Sequence, residues 1–154
     1  MVVLEGWDAS GKGGIVRRLA WALDPRSFKV YPVAAPMSHE QGKHYLQRFW
    51  EKLPNRGEIV VFDRSWYGRV LVERVEKIAN KREWLRGYEE IKQFEQMLVA
   101  DGIRVVKCFL QITPEEQLRG SRIGWLAREN AGNSPSMTCA IGLTGRTTSW
   151  PSKT

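Results

Sequence analysis

Nine consecutive residues, Gly6-Trp7-Asp8-Ala9-Ser10-Gly11-Lys12-Gly13-Gly14, surround one lysine with glycines at the spacing of a phosphate-binding loop. Gly6, Gly11, Gly13 and Gly14 let backbone N–H groups turn inward around phosphate oxygens. Lys12 adds a mobile point charge that can bridge successive phosphates. The flanking segments supply the required context. Residues 1–4 form an apolar run that reads as a buried strand, and residues 15–23 carry Ile15, Leu19 and Leu23 at helical spacing. A helix starting near Gly13 turns its positive end toward the same site. A glycine-rich connector with a solvated lysine would need none of this context.

One position departs from the usual loop. Gly13 stands where a Ser or Thr hydroxyl normally reaches magnesium, so a metal needs other oxygen ligands. Asp8 within the loop is one candidate. Asp63 is the other, because it ends the apolar run Ile59-Val60-Val61-Phe62 in the Walker-B manner; its alternative role is a cap for the next helix. Arg64 adjoins that carboxylate, and Arg69 and Arg74 follow closely. Guanidinium groups beside a phosphate loop suit phosphoryl transfer, which rests on positioning and charge stabilisation. Arg64 is the preferred catalytic candidate and Arg69 an additional phosphate ligand; a solvated helix face with Glu73 and Glu76 is the other reading of Arg69 and Arg74. Arg17 and Arg18 follow the loop and could face a long anion or solvent. Trp7 could pack over a ligand, whereas Trp21, Trp50, Trp66 and Trp84 read as packing residues. His44 reads as a surface residue and Cys108 as an inert strand residue.

These side chains require an alternating scaffold. Strands are expected at residues 28–33, 58–62 and 103–112. Helices are expected at 38–53 (capped by Ser38), 70–79 and 83–100, and one opens at Thr113-Pro114. Leu85, Tyr88, Ile91, Phe94 and Leu98 share one face of the helix at 83–100. Strands alternating with helices indicate an α/β domain, a doubly wound parallel sheet with flanking helices.

Composition narrows the classes. The chain has 154 residues, 42% hydrophobic and 27% charged, with a net charge of +7. That is one ordinary globular domain whose basic balance favours anionic partners. No zinc-finger spacing or RNA-binding aromatic signature accompanies the charge, so nucleic acid is not expected as a partner. No apolar run has the length of a membrane span and no leader is evident, so neither a membrane partner nor export is expected, and a cytoplasmic location follows. Two cysteines, Cys108 and Cys139, make no disulfide framework.

The motifs Gly-Trp-Asp-Ala-Ser-Gly-Lys-Gly-Gly at 6–14, Leu-Asp-Pro-Arg at 23–26 and Phe-Asp-Arg-Ser-Trp-Tyr-Gly-Arg-Val-Leu-Val-Glu-Arg-Val at 62–75 resemble the polyphosphate kinase 2 family. Trp7 and Gly68 are most similar to its polyphosphate:AMP phosphotransferase branch. Glu115-Glu116-Gln117-Leu118-Arg119 resembles the family segment that leads into its lid. The resemblance covers about residues 1–119. It implies a P-loop kinase fold and magnesium-dependent phosphoryl transfer between inorganic polyphosphate and a nucleotide. It implies that Asp8 orients the acceptor phosphate or Mg2+, that Lys12 is the Walker lysine, and that Asp63 and Arg64 are the Walker-B pair. Polyphosphate as donor comes from the resemblance; the residues alone also allow an ATP-dependent nucleoside or nucleotide kinase, or a non-catalytic phosphate-binding remnant. A homo-oligomer is compatible with all three.

Two family features are expected to be missing: a helical stretch before the first strand, and the basic lid. The composition changes from residue 120, where 17 of 35 residues are Gly, Ser, Thr or Pro and 5 are charged. Residues 120–154 are therefore expected to be disordered or non-native, separate from a phosphotransferase domain at 1–119. Codon arithmetic offers an origin. Regrouping each codon's third base with the next two bases makes Met137-Thr138 read as aspartate. The same shift permits tryptophan at Ala131-Gly132 and lysine at Gly132-Asn133, in the order of the family's lid motif. The tail thus reads as a frame-shifted lid.

Overall fold

The computed structural model describes residues 1–40, 42–76, 79–126 and 138–143. In chain order the elements are β1 (Val2–Gly6), α1 (Lys12–Ala22), β2 (Phe28–Pro32), α2 (Gln47–Trp50), β3 (Ile59–Asp63), α3 (Gly68–Val75), α4 (Lys81–Ala100), β4 (Val106–Gln111), α5 (Pro114–Leu126) and β5 (Thr138–Leu143). The strands form one sheet in the order β2-β3-β1-β4-β5. The first four are parallel, and β5 pairs antiparallel with β4. From β1 the chain moves out to β2, returns to β3, then crosses to the far side of β1 for β4. This is the doubly wound α/β arrangement expected, and it opens a crevice at the carboxyl ends of β1 and β3.

Strand alternation divides the core. Val3, Val60 and Phe62 point to the face covered by α4, where they pack with Trp66, Ile91, Phe94 and Leu98. Leu4, Val61 and Leu110 are fully buried, and α1 packs against β1 and β3. Trp66 is the hub of an aromatic cluster, edge-on to Phe94 at 5.0 Å, Phe49 at 5.4 Å and Phe62 at 5.8 Å. The helix expected from residue 83 begins earlier because Asn80 caps it. Its Oδ1 accepts from Glu83 N at 3.0 Å while Glu83 Oε2 accepts from Asn80 N at 2.9 Å, a reciprocal capping box.

Several expectations are corrected. Residues 38–53 are not one helix; among the described residues there only α2 is helical. Gly42 adopts φ 81°, which ends a helix rather than continuing it. Glu40 instead accepts from Met37 N at 2.8 Å and pairs with Arg48 at 3.2 Å. Trp21 is not a packing residue, being 82% exposed on α1. On α4, Ile91, Phe94 and Leu98 are buried but Leu85 and Tyr88 are half exposed, because α3 covers only part of that stripe. The tail also differs. α5 runs past residue 119 to Leu126, and Thr138–Leu143 forms β5. The open edge of β4 offers unpaired backbone groups to any apolar extended segment, and Thr-Cys-Ala-Ile-Gly-Leu supplies one. Residues 127–137 and 144–154, where most of the frame-shift reading falls, lie outside the described residues.

A buried charged network joins the two halves of the α4 face. Glu95 accepts from Trp66 Nε1 at 3.2 Å and Tyr67 OH at 2.8 Å, and Lys107 Nζ lies 2.8 Å from its other oxygen. Lys107 also donates to Tyr67 OH at 3.2 Å. Glu95→Ala would leave the Lys107 charge buried without its counter-ion, a loss of roughly 3–5 kcal/mol. Glu95→Gln keeps an acceptor for Trp66 and Tyr67 and should cost less. Urea denaturation followed by tryptophan fluorescence measures both; a Glu95→Ala loss under about 1 kcal/mol, typical of a surface pair, would show that the network is not structural.

Candidate active site

The phosphate loop begins where β1 must stop. A Cβ at Gly6 would run into the Leu110 carbonyl of β4, so only glycine lets the chain turn there, at φ 140°. Trp7 N donates to Leu110 O at 3.3 Å and Ser10 N to Trp7 O at 3.2 Å, closing the loop's first turn. Gly11, at φ 88°, is the residue before α1. It redirects the chain so that the leading N–H groups of α1, with the positive end of the helix, face the loop's interior. Gly14 is already within the helix, its N–H donating to Gly11 O at 2.9 Å.

A cleft of about 500 Å³ opens above this loop. Asp8, Gly11, Lys12, Gly13, Asp63 and Arg64 line it, so the structure brings together all four expected catalytic residues. Pro32, Val33 and Ala34 at the end of β2 form one rim, and Gly120 of α5 lies beside Ala9 at another. Lys12 is buried, and its Nζ donates to Gly6 O at 3.0 Å and Trp7 O at 2.8 Å. Burial, then the Arg64 charge, lowers the lysine's pKa; Asp63, Asp8 and Glu5 oppose this. The Lys12 ammonium is thus held against its own loop by two neutral carbonyls.

Arg64 follows Asp63 at the exit of β3. Its backbone is left-handed, φ 66°, and its guanidinium pairs with Asp8 across the cleft. Ala9, at φ 62°, is the other non-glycine residue with positive φ among the described residues. Both lie at the cleft, and such conformations persist only where surrounding contacts over-determine them. Asp63 Oδ1 is buried without a hydrogen-bond partner, as is Ser10 Oγ on the loop. An unsatisfied carboxylate oxygen in a phosphate cleft fits a hard cation, which would replace the missing partner. Asp8, whose side chain is 75% exposed, lines the same cleft.

Not every expected residue belongs here. Arg69 does not line the cleft; Glu73 holds its guanidinium at 2.6 Å, Glu83 lies at 4.0 Å, and the ring of Tyr45 is beneath it at 5.0 Å. Helical spacing explains the difference: Arg69 and Glu73 are four apart on α3 and turn away from the sheet end. Arg74 is likewise occupied, over Trp84 at 4.4 Å and donating to Tyr88 OH at 3.3 Å. Arg17 and Arg18 are exposed on α1 outside the cleft, and His44 is an exposed residue 3.5 Å from Glu90.

One residue beside the site escaped the sequence reading. Glu5 is buried within β1 and accepts from Ser65 Oγ at 2.7 Å. Burial raises its pKa, opposed first by hydrogen bonds from Ser65 and then by the Lys12 and Arg64 charges. Its signal was present: Glu5 is the one charge in the apolar run from Val2 to Gly6.

Comparison with known proteins agrees with this geometry. The family model for polyphosphate kinase 2 matches residues 1–130. A polyphosphate:AMP phosphotransferase of Pseudomonas syringae is 52% identical over 118 residues, 77% of this chain and 24% of that protein. An ADP-polyphosphate phosphotransferase of Rhizobium meliloti is 44% identical over 117 residues, 76% of this chain and 38% of that protein. A crystal structure of a polyphosphate kinase 2 from Pseudomonas aeruginosa superposes with a TM-score of 0.79 at 47% identity, covering 82% of this chain and 27% of that one. A second, from Arthrobacter aurescens, gives 0.76 at 35% identity, covering 80% of this chain and 44% of that one. The chain thus spans about a quarter of the length of the Pseudomonas syringae relative. With its phosphate loop, Asp63-Arg64 strand end and matching sheet, it belongs to the polyphosphate kinase 2 family.

Proposed function

We propose that the protein transfers a phosphoryl group between inorganic polyphosphate and a nucleotide, AMP or ADP or their guanine equivalents, with Mg2+ as cofactor. The observation that carries this reading is the convergence of Lys12, Asp63, Arg64 and Asp8 on one cleft at the carboxyl ends of β1 and β3. The relatives, a polyphosphate:AMP phosphotransferase and an ADP-polyphosphate phosphotransferase, supply the donor and acceptor classes.

Phosphoryl transfer asks for charge placed where it develops and for reactants held in line. The N–H groups at the start of α1 bind the phosphate chain. Lys12 exchanges the Gly6 and Trp7 carbonyls for phosphate oxygens, so its charge needs little reorganisation. Arg64 leaves Asp8 for the transferring group, and Asp8 is released toward the acceptor phosphate or the cation. Asp63 and Asp8 would hold Mg2+, which when bound neutralises charge on the phosphates. The uncharged rim at Pro32–Ala34 leaves room for the acceptor. Among the described residues no helix is long and apolar enough to cross a membrane. The functional reading adds a cytoplasmic location, where nucleotides and polyphosphate meet.

The tail belongs to the same proposal. Residues 120–154 are a frame-shifted version of the lid that should supply phosphate-binding charge and exclude water. The chain as written is then inactive or nearly so.

Three outcomes test this reading. Lys12→Ala should weaken binding of tripolyphosphate at least tenfold, about 1.4 kcal/mol, with an unchanged circular dichroism spectrum; calorimetry that shows equal affinity would remove Lys12 from the site. Asp63→Asn loses one anionic ligand and should move the midpoint of a magnesium titration of tripolyphosphate binding to higher concentration. A superimposable curve would take Asp63 out of the metal site. Restoring the reading frame after Arg119 should give a chain that phosphorylates AMP or ADP from polyphosphate faster than from ATP. Transfer from ATP alone would make the protein an ordinary nucleotide kinase.

A further inference from the structure

Glu5 takes no part in lining the cleft, yet it is buried near the end of β1, just before the loop that does. Its face of β1 is that of Val3, toward α4, whereas Leu4 and Asp63 are register partners on the neighbouring strands. From there its carboxylate accepts from Ser65 Oγ at 2.7 Å. Ser65 Oγ in turn accepts from Tyr67 N at 3.3 Å, so one hydroxyl links β1 to two points of the loop after β3. Between these points and the strand lies Arg64, whose left-handed φ of 66° is unfavourable for a residue with a Cβ. A further backbone restraint on that turn is Arg64 N donating to Leu4 O at 2.9 Å. Neither bond alone fixes a turn. Together they grip it on both sides of Arg64, once through the main chain of residue 4 and once through the side chain of residue 5.

A buried carboxylate is costly unless it is hydrogen-bonded. Packing would be served as well by an apolar residue at position 5, like the three that precede it. Glu5 also lies close enough to Lys12 and Arg64 for its charge to act on both. The feature it supports is the backbone turn that carries the Arg64 guanidinium to Asp8 over the phosphate loop.

We propose that Glu5 is a positioning residue of the phosphate site: acting through Ser65, it holds the left-handed turn that aims Arg64 into the cleft. The inference rests on the reading of that cleft as a phosphate site. It separates two carboxylates close in sequence by role: Asp8 meets ligand, and Glu5 acts only through the loop above it.

The test measures tripolyphosphate binding by calorimetry, in the presence of Mg2+, for the full chain and its Glu5→Ala, Ser65→Ala, Glu5→Ala/Ser65→Ala and Glu5→Gln variants. Each alanine variant should bind roughly tenfold more weakly, the effect of losing one hydrogen bond to a charged group. The double variant should bind no more weakly than either single one, because both break the same link. Glu5→Gln keeps an oxygen for the Ser65 hydroxyl and should recover most of the affinity, a rescue that general destabilisation of β1 would not give. Wild-type affinity in Ser65→Ala, additive losses in the double variant, or Glu5→Gln as weak as Glu5→Ala would each overturn the proposal while leaving the cleft a phosphate site. Absence of binding by the unaltered chain would overturn the functional reading, and this inference with it.

Discussion

The turn that leaves β3 is the constraint on which the site depends. It must present Asp63 and Arg64, consecutive residues, to one cleft. Consecutive residues of a strand point to opposite faces, so the chain cannot do this while remaining extended. The left-handed backbone at Arg64 solves the problem at an energetic cost. Two buried carboxylates hold the residues that follow. Glu5 takes Ser65 from the side of β1, and Glu95 takes Trp66 and Tyr67 from the side of α4. The aromatic cluster around Trp66 then fixes the loop against the sheet. Side chains at 65, 66 and 67 are all buried and hydrogen-bonded, while 63 and 64 are left to face the cleft.

That arrangement also explains the charge balance of the ligand-free cleft. Lys12 and Arg64 are like charges lining one cleft, and burial, then the Arg64 charge, lowers the Lys12 pKa. Asp8 satisfies Arg64, and two backbone carbonyls satisfy Lys12. A phosphate chain entering the cleft would compete with both sets of partners. The cations are therefore prepositioned without being committed, the condition under which electrostatic stabilisation costs little reorganisation. Asp63 Oδ1 and Ser10 Oγ remain unsatisfied in the same place. Unsatisfied buried polar atoms are few in folded proteins, and a hydrated cation and phosphates would supply partners for these two.

The remaining structure serves this end of the sheet. The β1–β3 register sets Leu4 opposite Asp63, so the glycine-rich loop and Asp63 emerge side by side. α4, fixed by its Asn80 cap, covers the opposite face and carries Glu95 to its partners. α5 meets the loop at Ala9 through Gly120, where a larger residue would need the neighbour to shift. The segment after β4 thus touches the tip of the phosphate loop.

By itself the sequence determined the contiguous features. The phosphate loop is read from spacing because its geometry is set within nine residues, with Gly6 where a Cβ would strike the Leu110 carbonyl and Gly11 at a positive φ. The aspartate at the end of an apolar strand is read the same way, as is the alternation that dictates a doubly wound α/β sheet. Local patterns misled where a distant partner decided the outcome. Arg69 reads as a phosphate ligand by proximity in the chain, but the direction of α3 gives it to Glu73 and Tyr45. Residues 38–53 have helical composition, but Gly42 and the Glu40–Arg48 pair shape them otherwise. Glu5 and Lys107 were visible only as isolated charges in apolar strands. Their partners lie 60 residues away for Glu5–Ser65 and 12 for Lys107–Glu95. Which pairs meet depends on strand order and on which face each side chain takes. Only the assembled sheet fixes both, because a buried charge is tolerated solely where the fold delivers its partner.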